Sequence, residues 1–248
     1  MRLTRVHVTE SLQVGKRIAV EGAAANHITR VLRLRAGEPL TLFNGNGAEY
    51  AATILEFRRD TVLVEVGPEQ AANRESPLPL TLAQGISRGE RMDWILQKAT
   101  ELGGSRIVPV FTERSVVRLD AKQAERKLQH WRAIAVAACE QCGRNRVPEI
   151  TQPTDLFEFL GNGVEPRMTR LLLSPISDVS IDEVSVSAAG VTVLIGPEGG
   201  LTDNEHEVAR RSGFTAVRMG PRVLRTETAA IAALTILQHR FGDLGNRP

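Results

Sequence analysis

From Leu78 onward the chain repeats one grammar: an apolar strand, a loop, then a helix. Leu80–Gln84, Arg106–Phe111, Arg170–Leu173, Val191–Ile195 and Ala216–Met219 are short apolar runs of strand length. Between them, Gly89–Leu102 spaces Met92, Ile95, Leu96, Ala99 and Leu102 along one helical face, and Lys122–Gln141 reads as a second helix. Alternation of this kind commits a chain to an α/β fold, with a mostly parallel sheet and helices on both faces. Such sheets bind ligands at the carboxyl ends of their strands. The loops after Leu173, Ile195 and Met219 are therefore where chemistry is expected.

The first seventy residues follow a different rule. Arg17–Glu21 is a short strand, and Asn26–Arg33 has helical spacing with Ile28, Val31 and Leu32 on one face. Leu40–Phe43 runs into Asn44-Gly45-Asn46-Gly47, a hairpin signal, and Tyr50–Phe57 and Thr61–Val66 then alternate apolar and polar residues. This outlines a small β-barrel. The polar, Pro-flanked stretch 67–77 reads as a linker, so a barrel over residues 1–72 and an α/β domain over 73–248 are expected. A chain of 248 residues, 42% hydrophobic and 24% charged, can bury two modest cores without a disulfide or metal staple. No apolar run approaches the length of a membrane span, and Met1-Arg2-Leu3-Thr4-Arg5 lacks the apolar core of a secretory signal. A cytoplasmic location is the expectation.

Formal net charge is only +2, but its distribution is uneven. Residues 84–146 carry 12 basic and 7 acidic side chains, an excess that can hold a polyanion or simply solvate helix surfaces. Arginine supplies 27 of the 31 basic residues, and its planar fork suits phosphate and base edges.

Two loops carry the strongest local signals. Val193-Leu194-Ile195 leads into Gly196-Pro197-Glu198-Gly199-Gly200, and Thr202 with Glu205 has capping-box spacing, so a helix starts at once. Glycine lets a backbone approach a ligand closely, but the loop lacks the terminal Gly-Lys-Ser/Thr of a phosphate-binding P-loop. The second loop, Gly220-Pro221-Arg222-Val223-Leu224-Arg225-Thr226-Glu227-Thr228, precedes the Ala-rich segment Ala229–Leu237. Thr226 or Thr228 can cap that helix. Arg222, Arg225 and Glu227 beside so apolar a helix are costly unless employed.

Together these two loops resemble the SPOUT RNA methyltransferases, and more narrowly the RsmE family of 16S ribosomal RNA uracil-N3 methyltransferases. The resemblance extends to Ser87-Arg88-Gly89-Glu90, Gln97–Gly103, Glu113-Arg114-Ser115, Ala138–Arg146 and His27–Arg33. One departure is Ser174-Pro175, where family members often carry His-Pro; it leaves a backbone role for that loop. The resemblance implies a PUA-like barrel followed by a SPOUT domain with a C-terminal trefoil knot. It implies S-adenosyl-L-methionine as methyl donor, a homodimer with active sites at the interface, and 16S ribosomal RNA or the small ribosomal subunit, in its decoding region, as substrate.

The same resemblance suggests roles for individual residues. Arg225 and Arg222 would stabilise a uracil anion, and Glu227 would orient Arg225 or accept the N3 proton. The donor would lie against Leu173, Ser174, Leu194, Ile195, Gly196, Pro197, Glu198, Gly199, Gly200, Met219, Gly220, Val223, Leu224 and Thr228. RNA would meet His27, Arg30, Arg33, Arg88, Arg91, Lys98, Arg114, Arg144 and Arg146. Ribose 2′-O methylation and a non-catalytic role in ribosome assembly remain open alternatives. Cys139-Glu140-Gln141-Cys142 has redox spacing but closes a helix, and a zinc site would need ligands beyond His130, so neutral thiols and no metal are expected.

Overall fold

The computed structural model describes residues 4–116 and 119–245. They fall into two compact units. One runs up to Glu75 and takes in Val136–Val147 as well; the other comprises Ser76–Ala135 and the chain from Pro148. The segment 136–147 lies far beyond the expected break at 72/73, yet its partners are in the first unit.

That first unit is a five-stranded sheet in the order β1-β3-β4-β5-β2, formed by β1 (Arg5–His7), β2 (Arg17–Val20), β3 (Pro39–Phe43), β4 (Glu49–Phe57) and β5 (Val62–Gln70). β1 pairs parallel to β3, and the other pairs are antiparallel. The Asn-Gly repeat joins β3 to β4 as the hairpin signal requires. Alternation in β4 and β5 sends Ile54, Val62, Val64 and Val66 inward, onto Val6, Ile18, Leu40 and Leu42.

The segment 26–33 departs from its expected helical face. A short helix, α1 (Gly22–Asn26), passes into a π-helical turn over His27–Val31, in which the Leu32 N–H donates to the His27 carbonyl at 2.9 Å. The wider turn breaks the i, i+3, i+4 register. Ile28 is fully buried as expected, but Val31 is 68% exposed. Arg33, at φ 53°, then ends the turn in the left-handed region.

A buried ionic cluster ties the first unit together. Arg5 pairs with Glu49 and donates to the Arg144 carbonyl at 3.0 Å and to Asn145 Oδ1 at 2.6 Å. Glu49 also takes Arg74 at 3.1 Å, and Glu75 takes Arg144 at 2.7 Å. Burial pushes the Glu49 carboxyl up, but the hydrogen bonds from Arg5 and Arg74 outweigh it and hold Glu49 below the usual carboxylate range. Arg144 is only 5% exposed, so the phosphate contact expected of it is corrected. Its guanidinium is engaged inside the protein by Glu75, whose other oxygen accepts the N–H groups of Asn145 and Arg146.

The second unit is a sheet whose strand pairs are all parallel. Its path is β12-β10-β11-β6-β7-β8, with β9 also on β7. The strands are β6 (Leu80–Gly85), β7 (Arg106–Phe111), β8 (Glu149–Ile150), β9 (Thr154–Asp155), β10 (Thr169–Leu173), β11 (Val191–Ile195) and β12 (Thr215–Val217). β6 and β11 are buried at every position, as continuous apolar strands covered on both faces must be. The helices are α2 (Glu90–Glu101), α3 (Ala121–Cys142, whose last turns from Val136 belong to the first unit), α4 (Leu156–Glu158), α5 (Asp203–Arg211) and α6 (Thr226–Phe241). Ala83, Leu172 and Leu194 pack with Leu156 and Phe159 beside α5, while the alternating Leu82, Leu171 and Val193 point to the opposite face. No helix among the described residues is long and apolar enough to cross a membrane.

Removing one partner of a buried ion pair leaves a charge without compensation. Arg144→Ala is expected to cost about 3 kcal/mol in urea unfolding. Arg30→Ala, at an exposed position of the same unit, should leave the transition unchanged.

Candidate active site

The carboxyl ends of β10, β11 and β12 meet around a cavity of about 500 Å³. Leu173, Ser174, Pro175 and Ile176 come from the first loop, and Ile195, Gly196, Pro197, Glu198, Gly200 and Leu201 from the second. Met219, Gly220, Arg222, Val223, Leu224 and Arg225 come from the third, and Thr226, Glu227 and Ala229 from the start of α6. Arg91, Arg114, Asp203 and His206 complete the wall.

The loop after β11 is built by close contact. A β-carbon at Gly85 would lie 2.5 Å from the Pro197 nitrogen and ring, so only glycine lets β6 end beneath this loop. Gln84, fully buried, donates from Nε2 to Thr226 Oγ at 2.9 Å and to the Gly85 carbonyl at 3.0 Å. Thr226 Oγ in turn donates to the Gly196 carbonyl at 2.7 Å. Neither Thr226 nor Thr228 caps α6, contrary to expectation. Arg225 is the N-cap residue, and its guanidinium has no acceptor for a cap bond, while the Thr226 oxygen accepts from Gln84 Nε2. The box at Thr202 and Glu205 forms as its spacing requires, and Glu205 also accepts the Glu113 N–H at 2.8 Å.

Three expected donor positions lie off the cavity. Leu194 is fully buried among core side chains. Thr228 is exposed and absent from the cavity wall. Gly199 faces Arg114, whose Cβ would lie 3.0 Å from a β-carbon there. Bulk at 199 would therefore press on Arg114, not on a ligand in the cavity.

The charged side chains divide by partner. Arg114 donates to the Gly199 and Leu201 carbonyls at 3.2 and 3.3 Å, so it buttresses the Gly-rich loop. Lys98 pairs with Glu101 at 2.8 Å. Glu198 accepts from the Arg88 N–H at 3.0 Å and from Arg91 at 2.8 Å. Burial raises the Glu198 carboxyl, but those two hydrogen bonds prevail and hold it below the usual range. Arg222 and Arg225 are exposed, and neither guanidinium has a hydrogen-bond or ion-pair partner among the described residues. Of the remaining expected RNA contacts, His27 is half-buried, and Arg30, Arg33 and Arg146 are exposed in the first unit. Arg88 is exposed in the second.

The sequence reading missed Gln84, Gly85, Asp203 and His206. A lone amide closing the apolar run Leu80-Thr81-Leu82-Ala83 was the available signal for Gln84. Burial lowers the affinity of His206 for its proton. Cys139 is pushed up to about 12, chiefly by burial, which keeps its thiol protonated.

Thr226→Val keeps the shape and removes the hydroxyl, leaving Gln84 and the Gly196 carbonyl without their shared partner. A loss of about 1–3 kcal/mol is expected in denaturant unfolding, with Thr226→Ser close to the parent.

With this geometry in hand, the chain matches two family descriptions: an RNA methyltransferase domain over residues 74–238 and an RNA methyltransferase PUA domain over 20–67. It is 36% identical to a ribosomal RNA small subunit methyltransferase E of Buchnera aphidicola, covering 98% of both chains. Identity to that of Bacillus subtilis is 30%, covering 93% of both. A ribosomal RNA small subunit methyltransferase E of Neisseria gonorrhoeae, solved with S-adenosylmethionine, superposes with a TM-score of 0.91 at 36% identity, over 98% of this chain and 100% of that one. A Legionella pneumophila protein described as a methyltransferase, also with S-adenosylmethionine bound, gives 0.95 at 41%, with the same coverage. The full-length likeness, carried through both units, means that this chain belongs to the ribosomal RNA small subunit methyltransferase E family.

Proposed function

We propose that this protein transfers a methyl group from S-adenosyl-L-methionine to N3 of a uridine in the decoding region of 16S ribosomal RNA. One observation carries this reading: a single cavity joins open glycine backbone and apolar walls to two exposed guanidiniums and a half-buried carboxylate. The donor fits the first part. Gly200 and Gly220 have φ of +69° and +70°, and a β-carbon at either would meet nothing within 4 Å, so backbone lies open to a ligand. Ile195, Leu201, Met219 and Leu224 supply apolar surface, and the loop has no P-loop lysine, in keeping with a nucleoside that carries no phosphate. When bound, S-adenosylmethionine supplies an electrophilic methyl group on a positively charged sulfur.

The chain's own residues supply the rest. Uracil N3 keeps its proton at neutral pH, so that proton must leave at or before attack. Glu227 Oε2 is buried, has no hydrogen-bond partner among the described residues, and suits the acceptor role. Arg225 and Arg222 are suited to the negative charge that then develops on O2 and O4. His27, Arg30, Arg33, Arg88 and Arg146 remain candidates for phosphate contacts.

The finer architecture belongs to the same reading. The five-stranded sheet would be a PUA-like barrel for RNA, and the α/β part a knotted SPOUT domain, with the functional division near 72/73. A homodimer would cover Ile176 and Val223, which are 84% and 81% exposed at the cavity, and the half-buried Ile231, Ala232 and Ile236 of α6. The place of action would be the cytoplasm, where small subunits assemble.

Calorimetry with S-adenosylmethionine, together with mass spectrometry of ribosomal RNA from a strain lacking the gene, tests this function. Loss of one N3-methyluridine is expected; loss of a ribose methyl instead would overturn the base assignment. Arg225→Ala should cut the single-turnover rate by about two decades with donor affinity intact, and higher pH should partly restore it. Full activity at neutral pH would remove Arg225 from the chemical step.

A further inference from the structure

Arg91 was expected to grip RNA phosphate, yet its guanidinium lies between two carboxylates of its own chain. Nη1 is 2.8 Å from Glu198 Oε1, and Nε is 4.0 Å from Glu227 Oε1. The first is a charge-assisted hydrogen bond and the second an ion pair without one. Glu198 is itself held by the Arg88 N–H at 3.0 Å. The result is a chain of contacts from the loop after β11, through the start of α2, to the first turn of α6.

We propose that Arg91 is a positioning residue for Glu227, anchored by Glu198, so that the Gly-rich loop sets where the reactive carboxylate points. This rests on the methyl-transfer reading above. The juxtaposition that carries it lies in the two oxygens of Glu227. Oε1 faces Arg91, whereas Oε2 is buried with no hydrogen-bond partner among the described residues. A buried acceptor without a donor is costly, so a donor reaching Oε2 would be favoured there. The N3–H of uracil is such a donor. Transfer of that proton to Oε2 makes Glu227 neutral and leaves the electron pair on N3, which attacks the methyl carbon as the carbon–sulfur bond breaks. Arg91 fixes which oxygen is presented, and the positive end of α6 favours the carboxylate before transfer.

Glu227 therefore has its orienting guanidinium on α2. The alternative in which it exists to orient Arg225 has no contact to support it among the described residues. Lysine should replace Arg91 only in part, because its compact ammonium does not reproduce the fixed spacing of Nη1 toward Glu198 and Nε toward Glu227 on one planar guanidinium.

The test compares Arg91→Ala, Arg91→Lys, Glu198→Gln and Glu227→Gln in the full-length protein. Its readouts are S-adenosylmethionine affinity by calorimetry, small-subunit affinity at several salt concentrations, and single-turnover rate at saturating substrate. Arg91→Ala should slow the chemical step by about tenfold or more, with donor affinity and salt slope unchanged. Glu198→Gln should slow the chemical step more weakly. Adding Arg91→Ala to Glu227→Gln should cost little further, because both act through one carboxylate. Arg91→Lys should recover part of the rate. A salt slope reduced by about one with an unchanged maximal rate would make Arg91 a phosphate contact and overturn the proposal. Multiplicative losses in the double variant, or full recovery by lysine, would overturn it too. Absence of donor binding or methyl transfer in the unaltered protein would instead sink the underlying function.

Discussion

Everything at the cavity depends on how closely the loop after β11 lies on the end of β6. With Gly85 carrying no side chain, the Pro197 ring occupies the space that a β-carbon would need. That approach brings the Gly196 carbonyl within reach of Thr226, and Thr226 within reach of Gln84. Three segments remote in sequence are thus joined by two hydrogen bonds through one hydroxyl. Gln84 and Thr226 are buried, and among buried groups each bond is stronger than at a surface and each unmade bond costs more. The start of α6, with Glu227 on it, is located by the same hydroxyl that turns the Gly196 carbonyl inward. The loop proposed for the donor and the carboxylate proposed to react are consequently parts of one construction.

Parallel strands explain why the site lies where it does. Every strand pair in the second sheet is parallel, so every strand ends on the same side and every following loop starts there. β10, β11 and β12 contribute three such loops, and β6 contributes the floor. Strand alternation and apolar spacing made this arrangement legible before any coordinates. The loops after the last three strands follow from strand direction, and Arg222, Arg225 and Glu227 drew notice as charges set beside an apolar helix, whereas Leu224 came only with the family resemblance.

What stayed hidden depends on contacts between residues distant in sequence. The role of Gly85 cannot be read from Leu80–Gly85, because it is set by Pro197, more than a hundred residues away. Thr226 looked like a helix cap because short hydroxyls before helices usually are. A tertiary donor, the Gln84 amide, took the oxygen that a cap would have offered to a backbone N–H. The expected face of Asn26–Arg33 assumed an α-helical period, but one π-type turn changes which side chains share a face, and Val31 moved to solvent. Segment 136–147 belongs with the first unit, where Arg144 pairs with Glu75 and Arg5 donates to Asn145 and to the Arg144 carbonyl, contacts that linear order cannot display.

Arginine is where counting and structure part most clearly. The excess of basic over acidic residues in 84–146 reads as a single electrostatic surface for a polyanion. In the folded chain its members answer to different partners. Arg144 is inside, balancing Glu75; Arg114 spends its donors on two loop carbonyls; Arg91 stands between Glu198 and Glu227. A guanidinium already committed to carboxylates releases few counterions when a phosphate approaches, so it adds little to electrostatic affinity. The exposed guanidiniums without partners among the described residues include Arg222 and Arg225 at the cavity and Arg30 and Arg33 in the first unit. Positive charge is thereby held available where an anion is expected to form, and is neutralised where the scaffold must stay rigid.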